Sequence, residues 1–554
     1  MKKHHALLAI LAFAALSTVR AELHLPAVFS DGMVLQREIP APVWGSADPD
    51  QEVTVAFAGQ TKSVKAGHDG KWIVRFDALP ASAESRVMTV KSGGKNLEIK
   101  DVLVGDVWLA SGQSNMGSPM SSGAAAAELA NANDPLLRFF NVVKATAAEP
   151  QADLGGKWLP STSENTKGLS AVAYFVAKEI RETQKVPVAI LHSSWGGTPI
   201  QTWMSLDSIK RDPPIAETLA DWDKAYAKHL EVKDKPEVMA AYLADQKDWD
   251  ANVGPAFKAA LSAYKETMAA AKAAGQPIVP GPKPARPEPD QPDPMAMPAS
   301  SKRPHTPSVA YNATIAPLIP YGLRGMLWYQ GEENGSTGLK YRVWFPRLIE
   351  GWRAAWGQGD VPFVFVQLPA CYKDAKPVAE SGWPFTREAQ FMTLKVPNTA
   401  MAVTIDIGDP NNVHPDNKIF TGHRTALAAR KLAYGEKIVA SGPLYKDFAV
   451  EGDKIKIHFT ETGGGLTIGQ PPWTAAGVTP PPTDHLVGFY IAGDDKNWVE
   501  ASAQIDGDSV VVSSPAVSKP TAVRYGWASS PKVNLYNKEG LAASPFRTDT
   551  DAAK

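Results

Sequence analysis

Two kinds of hydrophobic pattern divide this chain. From Leu23 to about Lys100, apolar and polar positions alternate in short runs such as Val53–Phe57, Trp72–Phe76 and Val87–Lys91. Asp31-Gly32, Ala58-Gly59, Asp69-Gly70 and Gly93-Gly94 punctuate them as turn signals. The spacing predicts short strands closing into a small β-sandwich. From Asp101 the runs become continuously apolar or helical in period. Val102–Ala110, Leu136–Val143 and Val188–Ser193 read as buried strands. Leu169–Glu182 reads as a helix, with Val172, Phe175, Val176 and Ile180 on one face and Pro187 beyond its end. Strand, helix and strand in that order predict a parallel βαβ sheet.

Leu206 to His305 interrupts the pattern. Ala240–Ala274 predicts helix, and ten prolines between Pro277 and Pro304 exclude regular structure there. The segment is expected to carry a helical hairpin and a stiff, extended linker. The α/β pattern resumes at Arg324 with a strand over Gly325–Tyr329 and a helix bearing Tyr341, Phe345, Leu348, Ile349 and Trp352. Two more apolar runs, Val361–Leu368 and Thr399–Ile405, and a helix over Asn417–Tyr434 complete it. After Gly435 alternation returns, as in Lys454–Phe459 and Ala522–Tyr525, and the C-terminal part is β-rich.

These boundaries predict a leader over 1–21, a β domain over 22–100, an α/β domain over 101–435 with its insertion at 206–305, and a β-rich domain over 436–554. Lys2 and Lys3, the apolar Ala6–Leu16 and the cleavage pattern Val19-Arg20-Ala21 form a secretory signal. The mature chain is therefore expected outside the cytoplasm, secreted or periplasmic. The leader's apolar core is too short to span a bilayer. A formal net charge of −1 gives no reason to expect nucleic acid or an anionic membrane as partner. Cys371 is the single cysteine, so no intrachain disulfide forms, and no Cys/His cluster has zinc spacing. Catalysis without metal or cofactor is the expectation.

Four loops follow strands of the predicted sheet: Ser111–Asn115, Trp195-Gly196-Gly197, Gln330–Asn334, and Asp406 to His414. In an open parallel sheet such loops share one rim. There they supply what acyl transfer needs: a nucleophilic serine, a histidine to move its proton, a carboxylate to orient the ring, and N–H groups for the oxyanion. The Ser114 turn lacks the second glycine of the Gly-x-Ser-x-Gly elbow, since Met116 stands there, and its chemistry equally suits a helix cap. His414 lies between a buried strand and a helix amid Asp and Asn, whereas its rival His192 sits inside a strand run.

The blocks Ser111-Gly-Gln-Ser-Asn-Met116, Trp195-Gly-Gly-Thr198, Trp328-Tyr-Gln-Gly-Glu332 with Asn334, and His414-Pro-Asp-Asn-Lys418 resemble the sialate O-acetylesterase family of SGNH-type carbohydrate esterases. The resemblance implies a flavodoxin-like three-layer α/β domain flanked by β-sandwich-like domains. It implies hydrolysis of acetyl esters on sugar hydroxyls through an acetyl-serine. Ser114 would be the nucleophile and His414 the base, with the N–H groups of Ser114 and Gly197 (or Gly196) and the amides of Gln330 or Asn334 at the oxyanion. Where the family often has aspartate before the histidine, Asn411 and Asn412 stand here. Glu332 is the expected orienter of the imidazole, ahead of Asp406 and Asp409, unless serine and histidine act as a dyad. Arg387 is the candidate for a substrate carboxylate. Acetylated xylan or xyloglucan is the alternative substrate, and a catalytically inactive carbohydrate-binding protein the alternative class.

Overall fold

The computed structural model describes residues 23–211, 235–273, 305–372 and 382–549, with positions 219, 224, 227, 228, 230 and 231 between the first two stretches. The expected leader and the proline-rich stretch Pro277–Pro304 lie outside the described residues.

The organising element is one long strand, β1 (Lys95–Gly112). Its first half alternates in burial and pairs antiparallel with Ser82–Ser92, for example Val90 opposite Leu97. Its second half is buried without a break and pairs in parallel with β4 (Val188–Ser194) on one side and β5 (Gly325–Tyr329) on the other. The change of pattern near residue 100 thus falls inside a strand that passes from one packing environment to another.

Around β1 the sheet adds β2 (Asp134–Asn141), β3 (Trp158–Ser161), β6 (Phe363–Val366) and β7 (Thr399–Ala402), in the order β7-β6-β5-β1-β4-β2-β3. All are parallel except β3, which runs antiparallel to β2. Successive side chains along a strand point to opposite faces, so a strand covered on both sides must be apolar throughout. Trp108, Ala110, Ile190 and Leu327 face α1 (Ala171–Gln184) and α6 (Ile419–Tyr434). Val107, Leu109, Met326 and Trp328 face α4 (Gly338–Trp356) through Tyr341, Phe345, Leu348 and Trp352. The result is three layers, with α5 (Trp383–Met392) beside α4.

Local chemistry fixes the helix ends. Ser170 Oγ accepts the Ala173 N–H at 3.1 Å and caps α1. Gly422 in α6 lets α1 come close, since a Cβ there would lie 2.5 Å from Phe175 Cβ.

In the insertion, α2 (Pro236–Asp248) and α3 (Gly254–Ala273) form where helix was expected. The π-turn Trp249–Val253 joins them with helical dihedrals at both junctions, so they make one rod. Pro255, which has no N–H to donate, follows directly on this π-turn, where the regular i→i−4 ladder is already interrupted. The residues available for a second arm fall mostly outside the described positions.

The C-terminal part is antiparallel β. One sheet holds Leu444–Glu451, Lys454–Thr460, Ser509–Ser513 and Ser502–Asp506; another holds Val499–Glu500, Phe489–Ala492, Ala522–Tyr525 and Phe546–Arg547.

Candidate active site

β1 is where the sheet order turns: the chain goes first to β2 and β4 on one side, then to β5 on the other. Loops leaving such a point diverge and open a crevice at the carboxyl ends of the strands. Gly112 makes the exit possible. Its φ is +136°, and a Cβ would lie 2.1 Å from the Tyr329 carbonyl oxygen. The chain then curls back, with Gly117 N–H donating to the Gln113 carbonyl at 3.0 Å. Ser114 sits on that turn. Gly196, after β4, packs directly on it, its missing Cβ only 3.1 Å from Ser114 Cβ.

The His414 loop closes from the other end of the chain. Asn412 Oδ1 accepts the His414 backbone N–H at 3.0 Å, setting the turn. The ring Nε2 lies 2.7 Å from Ser114 Oγ. Burial, and then the nearby Lys418 ammonium, hold the imidazole below its ordinary pKa. It is therefore neutral near pH 7, and with the proton on Nδ1 its Nε2 accepts from the serine hydroxyl.

The carboxylates stand elsewhere. Glu332 Oε1 accepts from Asn115 Nδ2 at 2.5 Å, its Oε2 is buried without a partner, and burial raises its pKa. The expected bond from Glu332 to the imidazole is not made. Asp406 is saturated by Arg424 and the Tyr536 hydroxyl, at 2.8 and 2.9 Å on Oδ2. Asp409 accepts the Asn411 N–H at 2.8 Å. Among the described residues no carboxylate bonds the His414 ring, so the assembled unit is a serine–histidine pair.

Two expected oxyanion amides are already used. Gln330, with no exposed surface, donates to Thr198 O at 3.1 Å and to Asn334 Oδ1 at 2.8 Å, and accepts from Tyr341 at 2.7 Å. Asn334 Oδ1 also takes the Ile200 N–H at 2.8 Å, and its Nδ2 turns to Gln201 at 3.3 Å and Thr337 at 3.4 Å. Both amides brace the loop that follows Gly197 instead of facing the serine. The backbone N–H groups of Ser114 and Gly197 have no protein partner among the described residues.

A family model described as carbohydrate esterase, sialic acid-specific acetylesterase, matches residues 309–431. The sialate O-acetylesterase of Rattus norvegicus is 31% identical over 453 residues, covering 75% of this chain and 74% of the relative. That of Homo sapiens is 31% identical over 474 residues, covering 78% and 75%. The crystal structure of a carbohydrate acetylesterase from Xanthomonas citri superposes with a TM-score of 0.74 at 36% identity, covering 96% of this chain and all of the other. The chain belongs to the sialate O-acetylesterase family. It is a carboxylic ester hydrolase with the mixed α/β sheet of carbohydrate esterases.

Within this sialate O-acetylesterase relative, Arg387 is not placed to meet a substrate. It is wholly buried and donates to the carbonyls of Leu368, Pro369, Ala528 and Ser529 at 2.7–2.8 Å. It pins the C-terminal β region to the α/β sheet. His192 is held inside β4 by Asn141 at 3.1 Å and Ser194 at 2.8 Å, and burial lowers its pKa to about 4. The sequence assigns no role to three residues near the pair, although Asn115 and Lys418 lie within the blocks that resemble the family. Asn115 and Lys418 lie beneath it, and His305, where the insertion ends, donates through Nε2 to Gly197 O at 2.8 Å.

Proposed function

We propose that this protein is an exported serine esterase that removes O-acetyl groups from carbohydrates through an acetyl-serine intermediate. The observation that carries the reading is the 2.7 Å approach of His414 Nε2 to Ser114 Oγ at the turning point of the sheet. Ser114 Oγ attacks the acetyl carbonyl as Nε2 takes its proton. The carbonyl oxygen becomes an oxyanion facing the free N–H groups of Ser114 and Gly197, each donor of this kind being worth about 3–4 kcal/mol. Collapse breaks the ester bond, and His414 returns the proton to the departing sugar oxygen. Water, deprotonated by the same nitrogen, then attacks the acetyl-serine; the ester bond to Ser114 Oγ breaks, His414 returns the proton to that oxygen, and acetate leaves. The signal-like Lys2–Ala21 supports export. The parallel sheet covered by helices on both faces supports an SGNH-type three-layer domain.

O-acetylated sialic acid is the substrate favoured by family. Lys144, on the loop after β2, holds its ammonium 5.9 Å from the centre of the half-buried Trp195 ring and offers a cation to a sugar carboxylate. A second reading, acetylated plant polysaccharide such as xylan or xyloglucan, gains support from the engagement of Arg387 with main-chain carbonyls, which removes the expected carboxylate receptor. Acetate release from acetylated sialic acid and acetylated xyloglucan, measured side by side, separates the two. Ser114→Ala should lower turnover on the preferred substrate by about four orders of magnitude. Undiminished release by that variant would refute the serine mechanism.

A further inference from the structure

A buried lysine lies between the nucleophile turn and the histidine loop, and the chemistry above does not use it. Lys418 is 4% exposed. Its ammonium donates to Asn115 Oδ1 and to the Pro415 carbonyl, each at 2.7 Å. Asn115, with no exposed surface, donates through Nδ2 to Glu332 Oε1 at 2.5 Å and to the Val413 carbonyl at 2.9 Å. An ammonium at the oxygen and a carboxylate at the nitrogen fix which way the amide faces. A flipped amide would set N–H against N–H at one end and oxygen against oxygen at the other. Burying a lysine is costly. Desolvation pulls its pKa down to about 8, while Glu332 and Asp416 act to hold it up.

We propose that Lys418 and Asn115 are positioning residues for the Ser114–His414 pair, clamping the chain on both sides of the histidine to the residue beside the nucleophile. Val413 and Pro415 flank His414, and their carbonyls are taken by Asn115 and Lys418 respectively. Asn115 follows Ser114 in the chain. The Oγ–Nε2 approach is therefore held by bonds that neither the serine nor the imidazole makes, which is how a proton-transfer geometry is kept within tenths of an ångström. Lys418 has a second effect, through charge. Among the described ionisable groups it is the one that acts on His414, disfavouring imidazolium; Glu332 and Asp416 face Lys418, and Glu333 faces Glu332.

The proposal rests on the serine-esterase reading and is tested in the full-length protein on an acetylated substrate. Lys418→Met should lower kcat by about tenfold or more with KM within about threefold of wild type. It should also move the acid limb of kcat/KM to higher pH by about half a unit, because a cation beside the base has been removed. Asn115→Ala should lower kcat similarly and leave the acid limb in place, since the ammonium remains. A mere loss of stability would move neither limb. Folded Lys418→Met with wild-type kcat, or with an unmoved acid limb, overturns the proposal. If Lys418→Met does not fold, Asn115→Ala decides: wild-type kcat overturns the clamp, and a slowed enzyme with unchanged KM upholds it. An active Ser114→Ala would strike at the serine reading instead, so the two failures remain distinct.

Discussion

Asp106 and Glu332 are carboxylates buried at opposite ends of the same sheet, and they are treated in opposite ways. Asp106 lies where β1 enters the parallel sheet. Its Oδ1 accepts from Arg37 at 2.9 Å and Arg324 at 3.0 Å, and its Oδ2 from the Tyr434 hydroxyl at 3.0 Å. Burial alone would raise its pKa, but the Arg37 hydrogen bond and the two arginine charges outweigh this and hold it below the ordinary carboxylate value. Glu332 lies just past the other end, after β5. It has one side-chain bond and an unpartnered oxygen, and burial wins, raising its pKa. The closed end of the sheet is saturated for stability. The open end leaves polar capacity unspent beside the Ser114–His414 pair, where the proposed reaction takes place.

Four experiments would break or sharpen this contrast. His414→Ala should have the largest effect, lowering kcat by about three to four orders of magnitude with an unchanged melting temperature. Steady-state kinetics and calorimetry on the same sample check both halves. Next, Asp106→Asn should cost about 3–5 kcal/mol of stability in urea unfolding, because two arginines lose their counter-charge. Per folded molecule its activity should match wild type. Smaller again, Glu332→Gln keeps an acceptor for Asn115 and should slow turnover by no more than about tenfold. A loss of several hundredfold would show that the carboxylate reaches His414 during turnover.

The pH dependence of that third variant carries a sign. Glu332 has a raised folded pKa, so the stability it contributes is fully present below its unfolded value and is lost as pH rises through the folded pKa. Relative to wild type, Glu332→Gln should therefore gain in melting temperature as pH climbs above the ordinary glutamate value of about 4. Asp106 behaves oppositely: its contribution is present above the unfolded pKa and disappears as pH falls through the depressed one. The smallest effect belongs to His305→Ala. It removes one half-exposed hydrogen bond to Gly197 O and should lower kcat about three- to fivefold.

Much of the fold was legible in the sequence because strands covered on both faces read as unbroken apolar runs, as Gly325–Tyr329 and Phe363–Val366 do. Ser114 and His414 were legible because glycine turns and strand ends place chemistry on one rim. The supporting residues were not. Gln330 and Asn334 look like free amides in a linear chain, and only the approach of the Thr198–Gln201 loop uses them up. Arg387 reads as a receptor for a substrate carboxylate, yet four carbonyls from two distant segments enclose it. The partner of Glu332 depends on how three loops meet, which no local spacing encodes.

The continuity of β1 bears on how such a protein can be recombined. A crossover placed near residue 100, where the hydrophobic pattern changes, would fall inside a hydrogen-bonded strand and set one parent's half of it against the other parent's pairing partners. The front β region is thus no detachable cartridge. Chimeras that exchange it keep the strand's pairing surfaces intact when the whole of Lys95–Gly112 comes from a single parent.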